Sequence, residues 1–329
     1  MNWRSKRILI TGAGGFIGSH LTEKLVQSGG TVRALVHYNS RNNWGLIELL
    51  PKEIRRELEV VTGDVQDPFM VRKAVQECDV VFHLAALIAI PYSYIAPESY
   101  VNTNIKGTLN VLQACLDEGV ERVVHTSTSE AYGTAQYTPI DERHPLQGQS
   151  PYSASKIAAD KIAESFYCSF GLPVATIRPF NTYGPGQSAR AIVPTIVSQV
   201  LTDSEVKLGL LTPVRDLTYV KDTVAGFLKV AESDKSVGEV INIGTGRGIT
   251  IEDLAEKIIE LMGKDVRIVR DAERIRPEKS EVMELICDNH NARELIGWEP
   301  QYSLEEGLKE TIEWIKKNLD LYKAGIYNV

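Results

Sequence analysis

Ile8-Leu9-Ile10-Thr11-Gly12-Ala13-Gly14-Gly15-Phe16-Ile17-Gly18 is the stretch on which the fold turns. Four residues of strand character run into a turn and then into a helical pattern, Phe16–Ser28. Gly12, Gly15 and Gly18 are spaced G-x-x-G-x-x-G. Glycines so placed permit a tight turn, close backbone approach to a pyrophosphate, and tight packing of helix on strand. The helix N-terminus then faces the negative charge. Glycine triplets are common in turns, but strand, turn and helix in succession make this one a dinucleotide-binding loop. Phe16 and Ile17, which open the helix, join the three glycines as cofactor contacts.

Outward from the loop, short apolar runs alternate with longer amphipathic stretches, the signature of βαβ units and a parallel sheet. Strands are expected at Arg7–Thr11, Thr31–Val36, Leu58–Thr62, Val80–Leu84, Arg122–Thr126 and Val174–Arg178. Helices are expected at Phe16–Ser28, Phe69–Glu77, Ile105–Glu118 and Ser153–Phe170. Right-handed crossovers wind such units into a doubly wound α/β sheet. Beyond Gly184 the rhythm breaks: helix Ile192–Leu201, a loop Leu208–Asp216, strand Val240–Ile243, helix Ile251–Met262, a basic loop at Arg274–Glu278 and a closing helical segment Ser303–Tyr322. The reading is a dinucleotide-binding domain over residues 1–184 and a smaller lobe over 185–329, with segments able to cross between them.

A chain of 329 residues exceeds the usual size of one core, which agrees with two lobes. Its 43% hydrophobic and 24% charged content leaves no disorder-like bias. A net charge of -7 speaks against a nucleic-acid partner, since a phosphate backbone attracts a basic face. A few local cations still suffice to hold a diphosphate. Met1–Arg7 contains no apolar leader, and no apolar run is long enough to span a bilayer. Cys78, Cys115, Cys168 and Cys287 lie far apart, without a Cys-x-x-Cys pair, and read as reduced residues of a cytoplasmic protein with no metal site.

The end of the second strand selects between the two nicotinamide cofactors. An acid there binds the ribose hydroxyls of NAD, and an arginine meets the 2′-phosphate of NADP. This chain has His37-Tyr38-Asn39-Ser40-Arg41, with no acid in that place. Arg41 is either a phosphate ligand or a solvated surface residue. Asp64-Val65, after the third strand, is expected beside the adenine; the plain alternative for Asp64 is a turn or helix cap.

Tyr152-Ser153-Ala154-Ser155-Lys156 places Tyr152 and Lys156 on one helix face. A tyrosine near its free pKa of about 10 is a poor base at neutral pH. A neighbouring ammonium and a nicotinamide's positive charge favour the phenolate, which can take a proton from a sugar hydroxyl as hydride leaves its carbon. Tyr-x-x-x-Lys occurs by chance on many helices; following the glycine loop and the fifth strand, it is a catalytic pair.

Together with His83-Leu84-Ala85-Ala86, Asn104-Ile105-Lys106-Gly107-Thr108, Arg178-Pro179-Phe180-Asn181-Thr182-Tyr183-Gly184-Pro185, Arg276-Pro277-Glu278 and Gly297-Trp298-Glu299-Pro300, these motifs resemble the extended short-chain dehydrogenase/reductases. The likeness runs from Ile8 to Pro300 and covers nucleotide-sugar epimerases, dehydratases and decarboxylases. It implies a Rossmann domain, a substrate lobe, cofactor contacts from Leu84, Ala85 and Ala86, and a slight preference for NAD, with NADP left open. It further implies a homodimer or larger homo-oligomer through helices Ile105–Glu118 and Ser153–Phe170.

Reaction type is read from Ser127-Thr128-Ser129-Glu130-Ala131-Tyr132-Gly133. Thr128 resembles the family residue that hydrogen-bonds the sugar's 4-hydroxyl. Simple 4-epimerases usually have a small or apolar residue where Glu130 stands, whereas a carboxylate suits abstraction of the C5 proton once C4 is a ketone; the plain alternative is a turn cap. Dehydratases of the dTDP-glucose type carry Asp-Glu at Ser129-Glu130. Thr-Ser-Glu instead resembles GDP-mannose 4,6-dehydratases and UDP-glucuronate decarboxylases. The acid toward the 6-hydroxyl is thereby left open between Glu130 returning its proton and Ser129 relaying one.

Leu208-Gly209-Leu210-Leu211-Thr212-Pro213-Val214-Arg215-Asp216 resembles the GDP-mannose dehydratases and lacks the decarboxylases' Gly-x-Gln-x-Arg run. The loop Leu87–Tyr94 carries no basic residue for a sugar carboxylate. Its apolar character, Ile88 included, suits an N-acetyl group or serves only to pack the lobes. Resemblance further assigns the diphosphate and nucleotide to Asn181, Arg190, Arg215 and Arg276, with Glu278 near the ribose. Through Ile88–Tyr94, Gly133–Tyr137 and Gln147–Tyr152 the chain is most similar to dehydratases of legionaminic acid synthesis, which act on UDP- or GDP-linked N-acetylglucosamine. The expected activity is a nucleotide-sugar 4,6-dehydratase. Its rivals are a decarboxylase, a 4-epimerase and a cofactor-sensing regulator that keeps the fold without the chemistry.

Overall fold

The computed structural model describes residues 1–275 and 277–322. In the first half the strands are β1 (Arg7–Thr11), β2 (Thr31–His37), β3 (Leu58–Gly63), β4 (Val80–His83), β5 (Arg122–Thr126) and β6 (Val174–Pro179). The second half adds β7 (Asn181–Tyr183), β8 (Glu205–Leu208), β9 (Val214–Tyr219), β10 (Val240–Ile243), β11 (Gly248–Thr250), β12 (Arg267–Arg270) and β13 (Glu284–Leu285). Seven strands form one sheet in the order β10-β6-β5-β4-β1-β2-β3, every neighbouring pair parallel.

The apolar runs read as strands because both faces of this sheet are covered. Ile8 and Ile10 point into one core, with Leu21, Leu25, Val224 and Phe227. Leu9 points into the other, with Val71, Leu112 and Phe166. Val80 and Phe82 alternate with Val81 in the same way. Alternation with period two over two dry faces yields an unbroken hydrophobic run.

Strand order reverses between β1 and β4, and the crevice opens at the carboxyl ends on either side of that point. The glycine turn there is close-packed. Gly12 has φ 73°, and a Cβ on it would lie 2.8 Å from Ala85 N. One on Gly18 would lie 2.2 Å from the Gly12 carbonyl, so helix Phe16–Gln27 seats on the turn only without a side chain there.

After residue 184 the chain does not stay apart from the sheet. Helix Val220–Glu232 lies beside helix Phe16–Gln27, and β10 extends the sheet next to β6. Conversely, Tyr132 and Ile140 join Val282, Leu285 and Cys287 in a small core of the other lobe. That lobe holds β9 between antiparallel β11 and parallel β7 and β13, with β12 paired to β8. The expected loop Leu208–Asp216 is therefore strand at both ends. Gly209 and Pro213 suggest a loop, but the hydrogen bonds that extend Val214–Asp216 come from strands distant in sequence. No helix of the described residues is long and apolar enough to cross a membrane.

Candidate active site

The carboxyl ends of the central strands open into a cleft of about 1140 Å3. At one end lies the glycine turn. Gly15 is the N-cap of helix Phe16–Gln27 and no side chain caps it, so the first helical N–H groups are left for a ligand beside Phe16, Ile17 and Gly18, all of which line the cleft. This is a phosphate cradle, and it fits a dinucleotide. Leu84 N donates to Thr11 O at 3.2 Å and Ala85 N to Thr11 Oγ1 at 3.1 Å, which sets Leu84, Ala85 and Ala86 along the same wall. His37, Asp64 and Val65 also line it. Asp64 is at once a turn residue, since its Oδ1 accepts from Gln66 N at 2.9 Å. Arg41 is not brought to the cleft: it is exposed, in a turn where its N donates to Asn39 Oδ1 at 3.2 Å.

The candidate reacting centre is built by two elements. Helix Pro151–Phe170 starts at a capping box in which Ser150 and Ser153 bond reciprocally, so Tyr152 enters from its first turn. Tyr152 is 7% exposed, its ring at the edge of Tyr100 with centroids 6.2 Å apart. One turn on, Lys156 Nζ donates to Thr126 O at 2.5 Å. The second element is the turn after β5. Thr128 caps it, its hydroxyl accepting from Glu130 N at 3.3 Å. The cap is therefore Thr128, and the Glu130 carboxylate makes no hydrogen bond or ion pair among the described residues. Thr128, Ser129, Glu130, Tyr152 and Lys156 all line the cleft.

Electrostatics here follow from burial. Burial pushes the Tyr152 phenol well up, the Thr128 hydrogen bond pulls it down, the charge of Glu130 raises it, and the cation that lowers it most is Arg190. Burial pushes the Lys156 ammonium down to about 8, against the opposing pull of Asp160. Asn104, within the π-helical turn Val101–Lys106, ties the neighbouring loop to the helix. It bonds the N and O of Leu87 and donates to Ser155 Oγ at 2.9 Å.

At the far end, Asn181 presents a buried Oδ1 with no hydrogen-bond partner among the described residues, an acceptor open to a donor in the cleft. Arg190 lines the cleft with Nε bonded to Ser188 Oγ at 3.2 Å. Its influence falls on Tyr100 and Tyr152, which sets it toward the reacting end. Arg215 lines the cleft paired with Glu281 at 3.2 Å. Ile88 does so half-exposed, with Tyr92. Arg276 and the Glu278 side chain lie outside the described residues. Sequence reasoning passed over Trp44 and Glu281, and took Tyr92 only as part of the loop Leu87–Tyr94. Trp44-Gly45 carried a signal in its glycine, which has φ 68° and abuts Gly14; Glu281 carried none, because its place beside Arg215 comes from β9 and the chain before β13.

A family model described as GDP-mannose 4,6 dehydratase matches residues 9–311. A dTDP-glucose 4,6-dehydratase of Streptomyces antibioticus is 32% identical, covering 94% of this chain and 92% of its own length. A UDP-glucuronate 4-epimerase of Thermodesulfobacterium geofontis is likewise 32% identical, over 96% of this chain and 98% of its own. Among solved structures, the dTDP-glucose 4,6-dehydratase DesIV of Streptomyces venezuelae, with NAD bound, superposes with a TM-score of 0.85 at 29% identity, covering 96% of this chain and 99% of that one.

Proposed function

Because the chain belongs to the GDP-mannose 4,6 dehydratase family, within the extended short-chain dehydrogenase/reductases, we propose that it is a nucleotide-sugar 4,6-dehydratase acting on N-acetylglucosamine carried by UDP or GDP. The observation that carries this reading is Glu130. It stands in the same cleft as Tyr152 and Thr128, its carboxylate in no hydrogen bond or ion pair with a described residue and its charge acting on Tyr152.

Gly12, Gly15, Phe16, Ile17 and Gly18 would hold the diphosphate of NAD, and Asp64, Val65, Leu84, Ala85 and Ala86 would flank the rest of it. When bound there, NAD would supply an acceptor for the C4 hydride and a source of hydride for C6. Tyr152 takes the proton from the 4-hydroxyl, and Thr128 holds that oxygen. The resulting ketone acidifies the C5 proton, which Glu130 removes. Water leaves from C6, its proton supplied by Glu130 or through Ser129. Asn181, Arg190 and Arg215 hold the nucleotide diphosphate, with Arg276 and Glu278 assigned there by resemblance. Ile88 and Tyr92 offer the apolar wall that an N-acetyl group needs.

The likeness to a 4-epimerase supports a second reading, and Glu130 separates the two, because epimerisation at C4 requires no base at C5. Incubation with UDP- and GDP-N-acetylglucosamine is expected to yield a product lighter by one water. The Glu130→Gln variant binds the sugar nucleotide and makes almost none of that product. In deuterated water the product gains deuterium at C5, while a label placed at C4 of the substrate appears at C6. An isomer of unchanged mass, or normal dehydration by Glu130→Gln, overturns the proposal.

A further inference from the structure

Behind Tyr152 and Lys156, on the side away from the cleft, lies a set of buried charges that the reaction as described does not use. Asp160 follows Lys156 by one turn on the same helix, and its side chain is 6% exposed. Both of its oxygens are engaged. Oδ1 accepts from His125 Nε2 at 3.0 Å; Oδ2 accepts from Ser127 Oγ at 2.5 Å and from Arg178 Nη2 at 2.8 Å. Arg178, with a side chain 2% exposed, also donates Nε to Ser127 Oγ at 3.1 Å and lies over the Tyr132 ring. Lys156 is not ion-paired to Asp160; its Nζ is spent on Thr126 O.

A buried ion pair is a poor route to stability, because desolvation opposes the attraction. This one stands one turn from a lysine whose charge the reaction requires. We propose that Asp160 is a positioning residue for the proton transfer at Tyr152: it is the counter-ion that keeps Lys156 in its ammonium form in the dry interior, while Arg178, bonded to the same carboxylate, sets how strongly.

Charges separated by a helical turn in such a place are screened less than they would be in water. Facing Lys156 are Tyr152 and Asp160 from its own helix, Arg178 from β6, His125 from β5 and His83 from β4, with Glu130 beyond Tyr152 on the cleft side. Burial holds both histidines below their usual range, so they are neutral at pH 7. Asp160 is the anion of this set that acts on Lys156, and it works against burial and against Arg178. His125 Nδ1 has no hydrogen-bond partner among the described residues, so its ring can shift the proton from Nε2 and accept from an amide. Asp160→Asn therefore keeps the local bonding.

The proposal rests only on the Tyr152/Lys156 pair, and its test needs no sugar. Protein labelled with 15N at the lysine Nζ and loaded with NAD is titrated by NMR, the Lys156 signal being the one missing from Lys156→Met. Asp160→Asn is expected to lower the Lys156 pKa by about one unit or more, and Arg178→Gln to raise it. The double variant Asp160→Asn/Arg178→Gln removes both charges, returns the value toward the parent's, and carries the test if Arg178→Gln alone does not fold. A merely structural role gives losses of one kind and no opposed shifts. An unchanged or raised Lys156 pKa in Asp160→Asn overturns the proposal, whereas failure to dehydrate N-acetylglucosamine nucleotides overturns only the assignment of the reaction.

Discussion

Tyr152 and Glu130 line the same cleft, and in the reaction proposed above each takes one proton at a different carbon of the sugar. Tyr152 is buried between Tyr100 and the Thr128 hydroxyl, where only a strong local field makes a phenolate. Removal of its hydroxyl is thus expected to stop the first step while leaving the glycine cradle intact. Tyr152→Phe should lose roughly 100-fold or more in turnover and bind NAD as the parent does, by calorimetry for binding and product formation for rate. Near-parental turnover would remove Tyr152 from the role of first base. These residues were legible because a Tyr-x-x-x-Lys spacing and an acid after a strand end are local facts. Arg190 was legible as a cation, but its influence on Tyr152 was not, since that depends on how the segment after Pro185 folds back.

The element that brings Tyr152 and Lys156 to the cleft is helix Pro151–Phe170. It starts where Ser150 and Ser153 cap each other and stops at Gly171, which has φ 69°. That cap fixes the first turn, the turn that holds Tyr152. Ser150→Ala is expected to cost about 1 kcal/mol of stability, read from urea unfolding, with a fall in turnover larger than any fall in NAD affinity. A variant as stable and active as the parent would show that the helix start is set by packing alone. Helix Ser153–Phe170 was readable in the sequence to within two residues at its start. Helix Val220–Glu232 was not read, although Val220, Val224, Phe227, Leu228 and Ala231 recur on one face. Its N-cap is Tyr219, which makes no side-chain cap bond, so the usual start signal is missing.

At the scale of the molecule, the interior beneath the sheet's carboxyl edge makes folding sensitive to acid. His83 and His125 are held below the usual value of 6.5 chiefly by burial. The unfolded chain therefore binds their protons first, and stability falls as pH drops below that value. Burial alone would raise the Asp160 carboxyl, but the His125 hydrogen bond and the Arg178 charge hold it below 3.8. Its contribution is present above 3.8 and is lost as pH falls further. Lys156 acts in the other range: lowered from 10.5 to about 8, it adds stability as pH rises between those values. Urea unfolding is expected to show stability decreasing as pH falls from 7 through the histidine range and decreasing again below 3.8, where Asp160→Asn is less affected than the parent. A flat profile would contradict the burial of these groups.

The sequence alone determined the glycine turn between strand and helix, the first six strands, and the spacings that bring Tyr152, Lys156 and Glu130 to one cleft. Each rests on spacing within a few residues, where backbone geometry leaves little choice. The second lobe was decided by tertiary structure. Val214–Tyr219 is a strand because β7, β11 and β13 surround it, and Arg215 faces Glu281 because those strands meet. The same holds for the Asp160–Arg178–His125 set, drawn from a helix and two strands. Residues that far apart along the chain acquire a common environment only when the sheet closes over them, and their protonation follows from that burial.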